Sequence, residues 1–330
     1  MVEPYLIIGA ENSPYSIKVR SYFRYKGIAH AWLKRGQAQA EYQQHAKLPL
    51  VPLVVTPDGS GLQDSTPIIE AMELRVPLPG IVPDDAVVAF VSVLLEEFAD
   101  EWANKWMFHY RWARPADQIA ASRRLVLDGA PATDEQQLGV SAAAIRERMV
   151  LRVWFVGSNE ITAPQIEQSF VDMLALLERH LASRPFLLGR RPSLADFALW
   201  GQIYNAAKDP TPGGLIAGRP AVLRWLARMV DPTPDGGFEI WPGLAPTLEP
   251  LLADQVAALF LPWSAANARA IATGAETFDL ALKGRHWQQK PQKYHARSLA
   301  ELRRKFAALT PDAALTAVLT RTDCLRWLRD

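Results

Sequence analysis

The sequence predicts an α/β domain, then an all-α domain, then a mostly helical C-terminal extension. Residues 1–80 alternate short apolar runs with helical patterns, whereas residues 84–230 show only helical patterns, separated by proline-rich turns at 184–185, 191–192 and 210–214. A proline- and glycine-rich breaker at 231–237 then separates the rest of the chain. We therefore expect domains at 1–80 and 84–230, with residues 231–330 as an extension packed on the core.

The elements of the first domain are predicted in the order β-α-β-α-β-β-α. Residues 5–10 form an apolar run typical of a buried strand. Ser13 and Pro14 then indicate a helix start, with a capping hydroxyl and a proline suited to the first helical position, and Gly27 ends that helix. The remaining strands and the closing helix are predicted at 29–34, 50–56, 62–64 and 68–74, with a glutamine-rich helix before the second of these.

Helical patterns continue through the second domain and into the extension. They are predicted at 87–110, 141–156, 164–182, from Ser193 onward, near 248–272 and at 298–309. Ser193 and Asp196 form a capping-box pattern. In such a box the Ser193 side chain accepts from the backbone N–H of Asp196, and the Asp196 side chain accepts from the backbone N–H of Ser193. We expect this pair to support the fold and not the chemistry.

Composition excludes several classes of protein. Lysine and arginine total 36 against 35 acidic residues, so there is no basic field for nucleic acid. Cys324 is the single cysteine, and the six histidines lack metal-ligand spacing, so we expect neither a disulfide nor a metal site. The N-terminus lacks a basic signal start, and no apolar run reaches the roughly 18 residues that cross a bilayer. We expect a cytoplasmic protein without a membrane partner.

Three segments together resemble the cytosolic glutathione transferase superfamily. Residues 13–28 are similar to the S/C-P-F/Y-x-x-K/R-x-R…K-G-I start of its tau-like and omega-like classes, and residues 50–69 to the V-P-V-L…L-x-E/D-S-x-x-I pattern of its glutathione subsite. Residues 188–197 are similar to the G-x-x-x-S-x-A-D motif of its helical domain. The resemblance spans about residues 5–230 and implies a thioredoxin-like domain, a helical bundle of the glutathione-transferase type and a homodimer active in detoxification. The extension is atypical in length.

Ser13 is the candidate catalytic residue. Its hydroxyl stands at a helix N-terminus, where free backbone N–H groups and the helix dipole favour an anion such as a bound thiolate. The resemblance implies that glutathione supplies this thiolate for attack on a hydrophobic electrophile or a peroxide. Relatives of the glutaredoxin type have cysteine here, so its absence argues against thiol–disulfide exchange by the protein itself. The alternative is that Ser13 only caps the helix.

Five further residues are candidates for binding glutathione. The resemblance implies a cis bond between Val51 and Pro52 that leaves the Val51 backbone free to pair with the cysteinyl part of glutathione; an edge-strand proline is the alternative. Asp64 and Ser65 precede a helix, and they either bind the γ-glutamyl ammonium and carboxylate or act only as caps. Asp64 stands where many relatives have glutamate. Tyr15 offers a second hydroxyl, with core packing as the alternative.

The helix predicted over 87–110 is rich in aromatic side chains. In transferases of this type the corresponding helix borders the hydrophobic substrate pocket, so Trp102, Trp106 and His109 are candidates for binding an aromatic electrophile. Burial in the core or in a subunit interface is the alternative. The carboxylates of the same helix are expected on a solvated face and not as an acid–base pair.

Two questions stay open at this point. The basic and aromatic segment 285–297 either packs across the first two domains, covers the mouth of the site, or contacts an anionic ligand or RNA. The whole chain is either a glutathione transferase-like enzyme or a binding or scaffold module that keeps the fold without turnover.

Overall fold

The structure, a computed structural model, describes residues 4–129 and 134–329. The strands are β1 (Tyr5–Gly9), β2 (His30–Lys34), β3 (Leu53–Val55), β4 (Gly61–Gln63), β5 (Phe278–Leu282) and β6 (Arg285–Gln289). The α-helices are α1 (Pro14–Tyr25), α2 (Gln39–His45), α3 (Ser65–Arg75), α4 (Ala86–Phe98), α5 (Asn104–Ala113), α6 (Pro115–Gly129), α7 (Glu135–Val150), α8 (Ala163–His180), α9 (Leu194–Ala206), α10 (Pro210–Ala217), α11 (Pro220–Arg228), α12 (Trp241–Leu251), α13 (Leu261–Thr273), α14 (Ser298–Ala307), α15 (Ala313–Arg321) and α16 (Leu325–Leu328). The 3₁₀ turns Val153–Val156 and Lys293–Arg297 and the π-helical segments Ala99–Ala103 and Leu252–Phe260 accompany them.

The N-terminal domain has the predicted order of elements and a thioredoxin-like sheet. Its strand order is β2-β1-β3-β4, with β1 and β2 parallel and the other pairs antiparallel. Helix α1 begins after Ser13, and Gly27, with a φ of +63°, follows its last turn. Strand β3 is shorter than predicted because it starts after Pro52, whose nitrogen cannot donate to a ladder.

The helical domain confirms the capping box and corrects two expectations. Ser193 and Asp196 bond each other as predicted, and Asp196 also accepts from the indole N–H of Trp225 at 2.9 Å. The helix expected over 87–110 is interrupted by the π-helical segment Ala99–Ala103. The segment from Pro210 was expected to be a turn, but it forms α10, since prolines in a first helical turn lose no intrahelical bond.

A continuous helical run, Trp241–Thr273, joins α12 to α13 and crosses the protein interior. By length and composition alone this run could cross a membrane. No apolar segment of that length was expected from the sequence. Its side chains Leu248, Val256 and Phe260 are buried in the same hydrophobic core as the sheet and the other helices. The described run is therefore a core helix in this fold.

The residues after position 230 cover α4. The rings of Phe90 and Phe306 lie 5.3 Å apart, and the Ser298 hydroxyl donates to the Glu97 carboxylate at 2.8 Å. Strands β5 and β6 form an antiparallel hairpin within a region expected to be mostly helical. We retain 1–80, 84–230 and 231–330 as the proposed division of the chain.

Candidate functional site

A cavity of about 650 Å³ lies where the N-terminal domain, α5 and the extension meet. It falls within the size range of small-molecule sites, which are mostly apolar with a few polar groups. The lining residues are Tyr15, Leu48, Leu50, Val51, Pro52, Gln63, Asp64, Asn104, Phe108, Trp154, Phe155, Pro291, Gln292, Lys293, Tyr294 and His295. The cavity thus brings together four of the predicted site residues, Tyr15, Val51, Pro52 and Asp64.

The loop before β3 brings backbone from outside the sheet to this cavity. The Val51–Pro52 peptide bond is cis, as the resemblance implies. The ladder between β3 and β4 begins at the Leu53–Gln63 pair, so Val51 lies outside the sheet. An unpaired backbone N–H and C=O beside a cavity can pair with the backbone of a peptide ligand.

The start of α3 has two features of an anion or zwitterion site. Asp64 caps the helix with a φ of +79°, an uncommon conformation for a residue other than glycine, and accepts from the Ser65 amide at 2.7 Å. Ser65 is fully buried, and among the described residues its hydroxyl has no hydrogen-bond partner. A free hydroxyl and the positive end of the helix dipole favour a carboxylate at this point.

Ser13 lies at the N-terminus of α1 but outside the residues that line the cavity. The side chain is half-buried, and its oxygen accepts from the Ser16 amide at 3.2 Å. That bond occupies a lone pair and, among the described residues, leaves the hydroxyl proton without an acceptor. The cap is therefore compatible with donation to an anion at the helix end.

Tyr15 does line the cavity, but its hydroxyl is already bonded on both sides. It donates to the backbone carbonyl of Asp100 at 2.8 Å and accepts from the Asn104 amide at 3.3 Å. Burial, and secondarily the nearby Asp100 carboxylate, raises the pKa of this phenol. The Tyr15 hydroxyl therefore fixes the π-helical segment in place, and its proton is already donated to the Asp100 carbonyl.

A buried ionic cluster lies behind the site, where a solvated face had been expected. The Lys18 ammonium is 2.7 Å from both the Glu96 and the Asp100 carboxylates. Burial raises the pKa of Asp100 to about 7, with Lys18 opposing the rise and Glu96 adding to it. Burial, with Glu96 next in effect, also raises the pKa of Glu97 to about 8. The expectation of a solvated face is wrong because Glu96 and Asp100 face Lys18 of α1, while Glu97 accepts a hydrogen bond from Ser298 of α14.

Trp102, Trp106 and His109 do not line the cavity, contrary to the expectation of a substrate pocket. The indole N–H groups of both tryptophans donate to the Ser169 hydroxyl of α8, at 3.0 Å each. His109 is buried between the Ser158 hydroxyl and the Glu167 carboxylate. This face of the helix packs on α8. These residues are therefore part of the core, which was the alternative interpretation of the aromatic pattern.

Other residues of the same helix line the cavity, and sequence reasoning missed them. Asn104 and Phe108, four positions apart, share the face turned towards it. Trp154, Phe155 and the residues of the extension that line the cavity were also missed. The signal that could have identified the residues of the extension was the basic and aromatic composition of segment 285–297. One of the three interpretations of that segment was that it covers the mouth of the site.

Two family models match segments of the chain. A model described as "Glutathione S-transferase, N-terminal domain" matches residues 12–75, and one described as "Glutathione S-transferase, C-terminal domain" matches residues 142–228. A comparison with curated proteins found no match.

Among solved structures, the chain is similar to a glutathione S-transferase from Methylobacterium radiotolerans in complex with glutathione sulfonate, with 21% identity over 74% of this chain and 94% of that one, and a TM-score of 0.41. A glutathione S-transferase from Methylobacillus flagellatus with glutathione bound shares 19% identity over 68% and 93%, with a TM-score of 0.41. A tau-class glutathione S-transferase from mango shares 15% over 69% and 89%, with a TM-score of 0.41. Since these scores lie below 0.5, the family assignment rests on the two family models.

Proposed function

Because the chain belongs to the glutathione S-transferase superfamily, we propose that it is a glutathione transferase-like enzyme in which Ser13 stabilises the glutathione thiolate. The observation that carries this proposal is the Ser13 hydroxyl at the start of α1, whose proton is uncommitted. A hydroxyl donor and a helix N-terminus both stabilise an anion, and a stabilised thiolate is the nucleophile at neutral pH. The reaction is attack on a hydrophobic electrophile or a peroxide.

In this proposal the chain binds glutathione along one edge of the cavity. The backbone of Val51, which lies outside the sheet next to Pro52, pairs with the cysteinyl part of glutathione. Asp64 binds the γ-glutamyl ammonium, and the buried Ser65 hydroxyl donates to its carboxylate. These contacts hold the sulfur near the start of α1, so catalysis comes from positioning and from electrostatic stabilisation of the thiolate.

In the conjugation reaction the thiolate forms a carbon–sulfur bond while the leaving group departs with its electron pair. With a peroxide, sulfur attacks one oxygen and the alkoxide leaves and takes up a proton; a second glutathione then displaces water to give the disulfide. Both reactions use the same thiolate. No covalent bond to the protein forms, and no metal is required.

The second candidate function is a binding or scaffold module without turnover. It is favoured by the position of Ser13 outside the cavity lining. Titration calorimetry with glutathione and steady-state assays with 1-chloro-2,4-dinitrobenzene and cumene hydroperoxide separate the two. Binding together with turnover supports the enzyme, binding alone supports the module, and absence of binding contradicts the proposed glutathione site.

We also propose that the protein is a cytoplasmic homodimer whose partners are small molecules. Helix α4 is largely buried by the chain's own extension, so the two subunits would have to meet through another face. Sedimentation velocity tests the dimer, and a single monomer-sized species across micromolar concentrations would contradict it.

A further inference from the structure

We propose that an arginine-lined cleft in the helical domain binds the phosphate group of a small phosphate monoester. The cleft lies where the extension leaves the helical domain, and it shares no lining residue with the cavity of the proposed glutathione site. The charged groups among its lining residues are four arginines and a single carboxylate, that of Asp235. This site goes beyond the proposed function and does not depend on it.

The cleft has a volume of about 240 Å³ and lies between the end of α8, the loop that follows it and one face of α11. Sites for drug-sized ligands run from roughly 300 to 1,000 Å³, so this cleft suits a smaller molecule. Leu181 and Trp225, both buried, contribute apolar surface to it. An inorganic ion would leave that surface uncovered, so a small organic ester is the better match.

Two of the four arginines are oriented by carboxylates. Arg184 makes a bidentate pair with Glu239, with its Nε and Nη2 atoms 2.8 and 3.0 Å from the two carboxylate oxygens. Arg190 pairs through Nη2 with the Asp235 carboxylate at 2.9 Å. Within the described part of the chain, neither Nη1 atom makes a hydrogen bond shorter than 3.5 Å. Each guanidinium is therefore fixed by an acidic partner and keeps donors for a ligand.

The other two arginines have no carboxylate partner. Arg224 and Arg228 are exposed on α11, four positions apart, and neither makes an ion pair or a hydrogen bond within residues 4–129 and 134–329. The Arg228 guanidinium lies over the Phe186 ring, 5.6 Å from its centre, which holds it beside the cleft. Like charges four positions apart on a helix repel each other, so a bound anion would relieve this repulsion.

The acidic groups around the cleft do not neutralise Arg224 and Arg228. Asp235 and Glu239 already face the two oriented arginines. Glu178 accepts from two backbone amides in the first turn of α11, at distances of 2.9 and 3.1 Å, so this helix end already has its own carboxylate. The charge of the two unpaired arginines is left for a ligand.

A phosphate monoester matches these groups in charge and in shape. It carries a charge of about −1.5 to −2 at pH 7 and presents three strong acceptor oxygens. The planar guanidinium group binds phosphate through parallel N–H groups, which a lysine ammonium cannot do. Because two arginines are unpaired, a dianion satisfies the cleft better than a carboxylate or a sulfate ester, which each carry one negative charge.

The test measures binding of phenyl phosphate to the full chain by phosphorus NMR line broadening, in a buffer free of phosphate and sulfate. We expect a dissociation constant below about 1 mM, a modest affinity that a small ligand can reach. Phenyl sulfate has the same ring and one negative charge less, and is measured by competition. It should bind roughly two- to fivefold more weakly, the effect of one exposed charge pair. Inorganic phosphate should bind no more tightly than phenyl phosphate.

Matched variants assign the binding to the cleft. Arg224→Gln and Arg228→Gln should each weaken phenyl phosphate binding by roughly two- to fivefold, and the double variant by more than either. Arg228→Lys keeps the charge and should keep part of the affinity. Arg148→Gln removes an exposed arginine of α7 outside the cleft and should leave the affinity unchanged. Circular dichroism checks folding, which the exposure of Arg224 and Arg228 makes the expected result.

Each outcome supports or overturns the inference. Absence of binding up to about 10 mM phenyl phosphate, or equal affinity in the double variant and the wild type, would overturn it. Equal affinities for phenyl phosphate and phenyl sulfate would indicate an unselective anion site and overturn the assignment of phosphate. A short peptide with a central phosphoserine tests the other source of a monoester, and its binding at least about tenfold more tightly than phenyl phosphate would overturn the small-molecule assignment. Glutathione binding, measured separately, decides the proposed function.

Discussion

Replacing Ser13 by alanine should raise the pKa of bound glutathione. In the proposed function the Ser13 hydroxyl donates to the thiolate, and a hydrogen bond to a charged group is worth about 1.5 to 3 kcal/mol. One pKa unit corresponds to about 1.4 kcal/mol, so the bound thiol pKa should rise by about one to two units. At any pH below both values of the thiol pKa, this change reduces the thiolate fraction and hence kcat/KM by roughly 10- to 100-fold.

The assay is the pH profile of kcat/KM for conjugation with 1-chloro-2,4-dinitrobenzene. The loss should be largest at low pH and should shrink towards pH 9.5, where the thiol is ionised in both proteins. Ser13→Thr keeps a hydroxyl and should restore most of the activity. An equal loss at every pH, or no loss, would refute the assigned role of Ser13.

The same substitution removes a helix cap, so stability needs its own control. Losing the bond from the Ser16 amide should cost about 1 kcal/mol of unfolding free energy. Asp312→Ala is a matched variant, because Asp312 caps α15 by accepting from the Leu315 amide at 2.8 Å. It should lose similar stability and leave the pH profile unchanged.

Three further predictions follow from the buried polar groups. Tyr15→Phe should keep kcat/KM within about threefold while costing about 1 kcal/mol in urea unfolding, because its proton is held by a backbone carbonyl and not by a ligand; a loss as large as that of Ser13→Ala would contradict this. Asp196→Ala should cost about 3 to 5 kcal/mol in urea unfolding, since it leaves several buried donors unpaired, including the Trp225 indole; a cost below about 1 kcal/mol would contradict that role. Burial raises the pKa of Glu97 from 4.5 to about 8, so unfolding releases a proton between these pH values and the unfolding free energy falls as pH rises through them. Glu97→Gln should weaken that fall between pH 5.5 and pH 8.5, and urea titrations at the two pH values would refute the reasoning if both proteins lost stability equally.

Local signals predicted the N-terminal domain well because its elements begin and end at residues with a clear conformational effect. Ser13 and Gly27 bound α1, and Pro52 delays the start of β3. The same local chemistry indicated the capping box at Ser193. By contrast, Pro210 was interpreted as a turn because a proline suits both a turn and a first helical turn, and only the packing around α10 decides between them.

The site could be predicted only in part, and the reason is geometric. The residues near the start of α3 and the loop before β3 are close in sequence to strong motifs, so sequence reasoning found them. Helical spacing placed Trp102 and Trp106 on one face but could not say which neighbour that face meets. Ser169 of α8, 63 or more positions away, receives both indole N–H groups, and no local pattern reports such a contact.

The contacts of Lys105 show that the extension packs into the core of the protein. Its ammonium has no carboxylate partner among the described residues; it donates to the Val156 carbonyl at 3.0 Å and lies 3.6 Å from the centre of the Trp263 ring. Burial lowers the pKa of this amine well below its usual value. Trp263 belongs to α13, the helix that also holds Gln292 through Asn267. The helix that closes the core around Lys105 is therefore also the helix that holds the cavity-lining segment around Gln292, which ties the shape of the cavity to the stability of the fold.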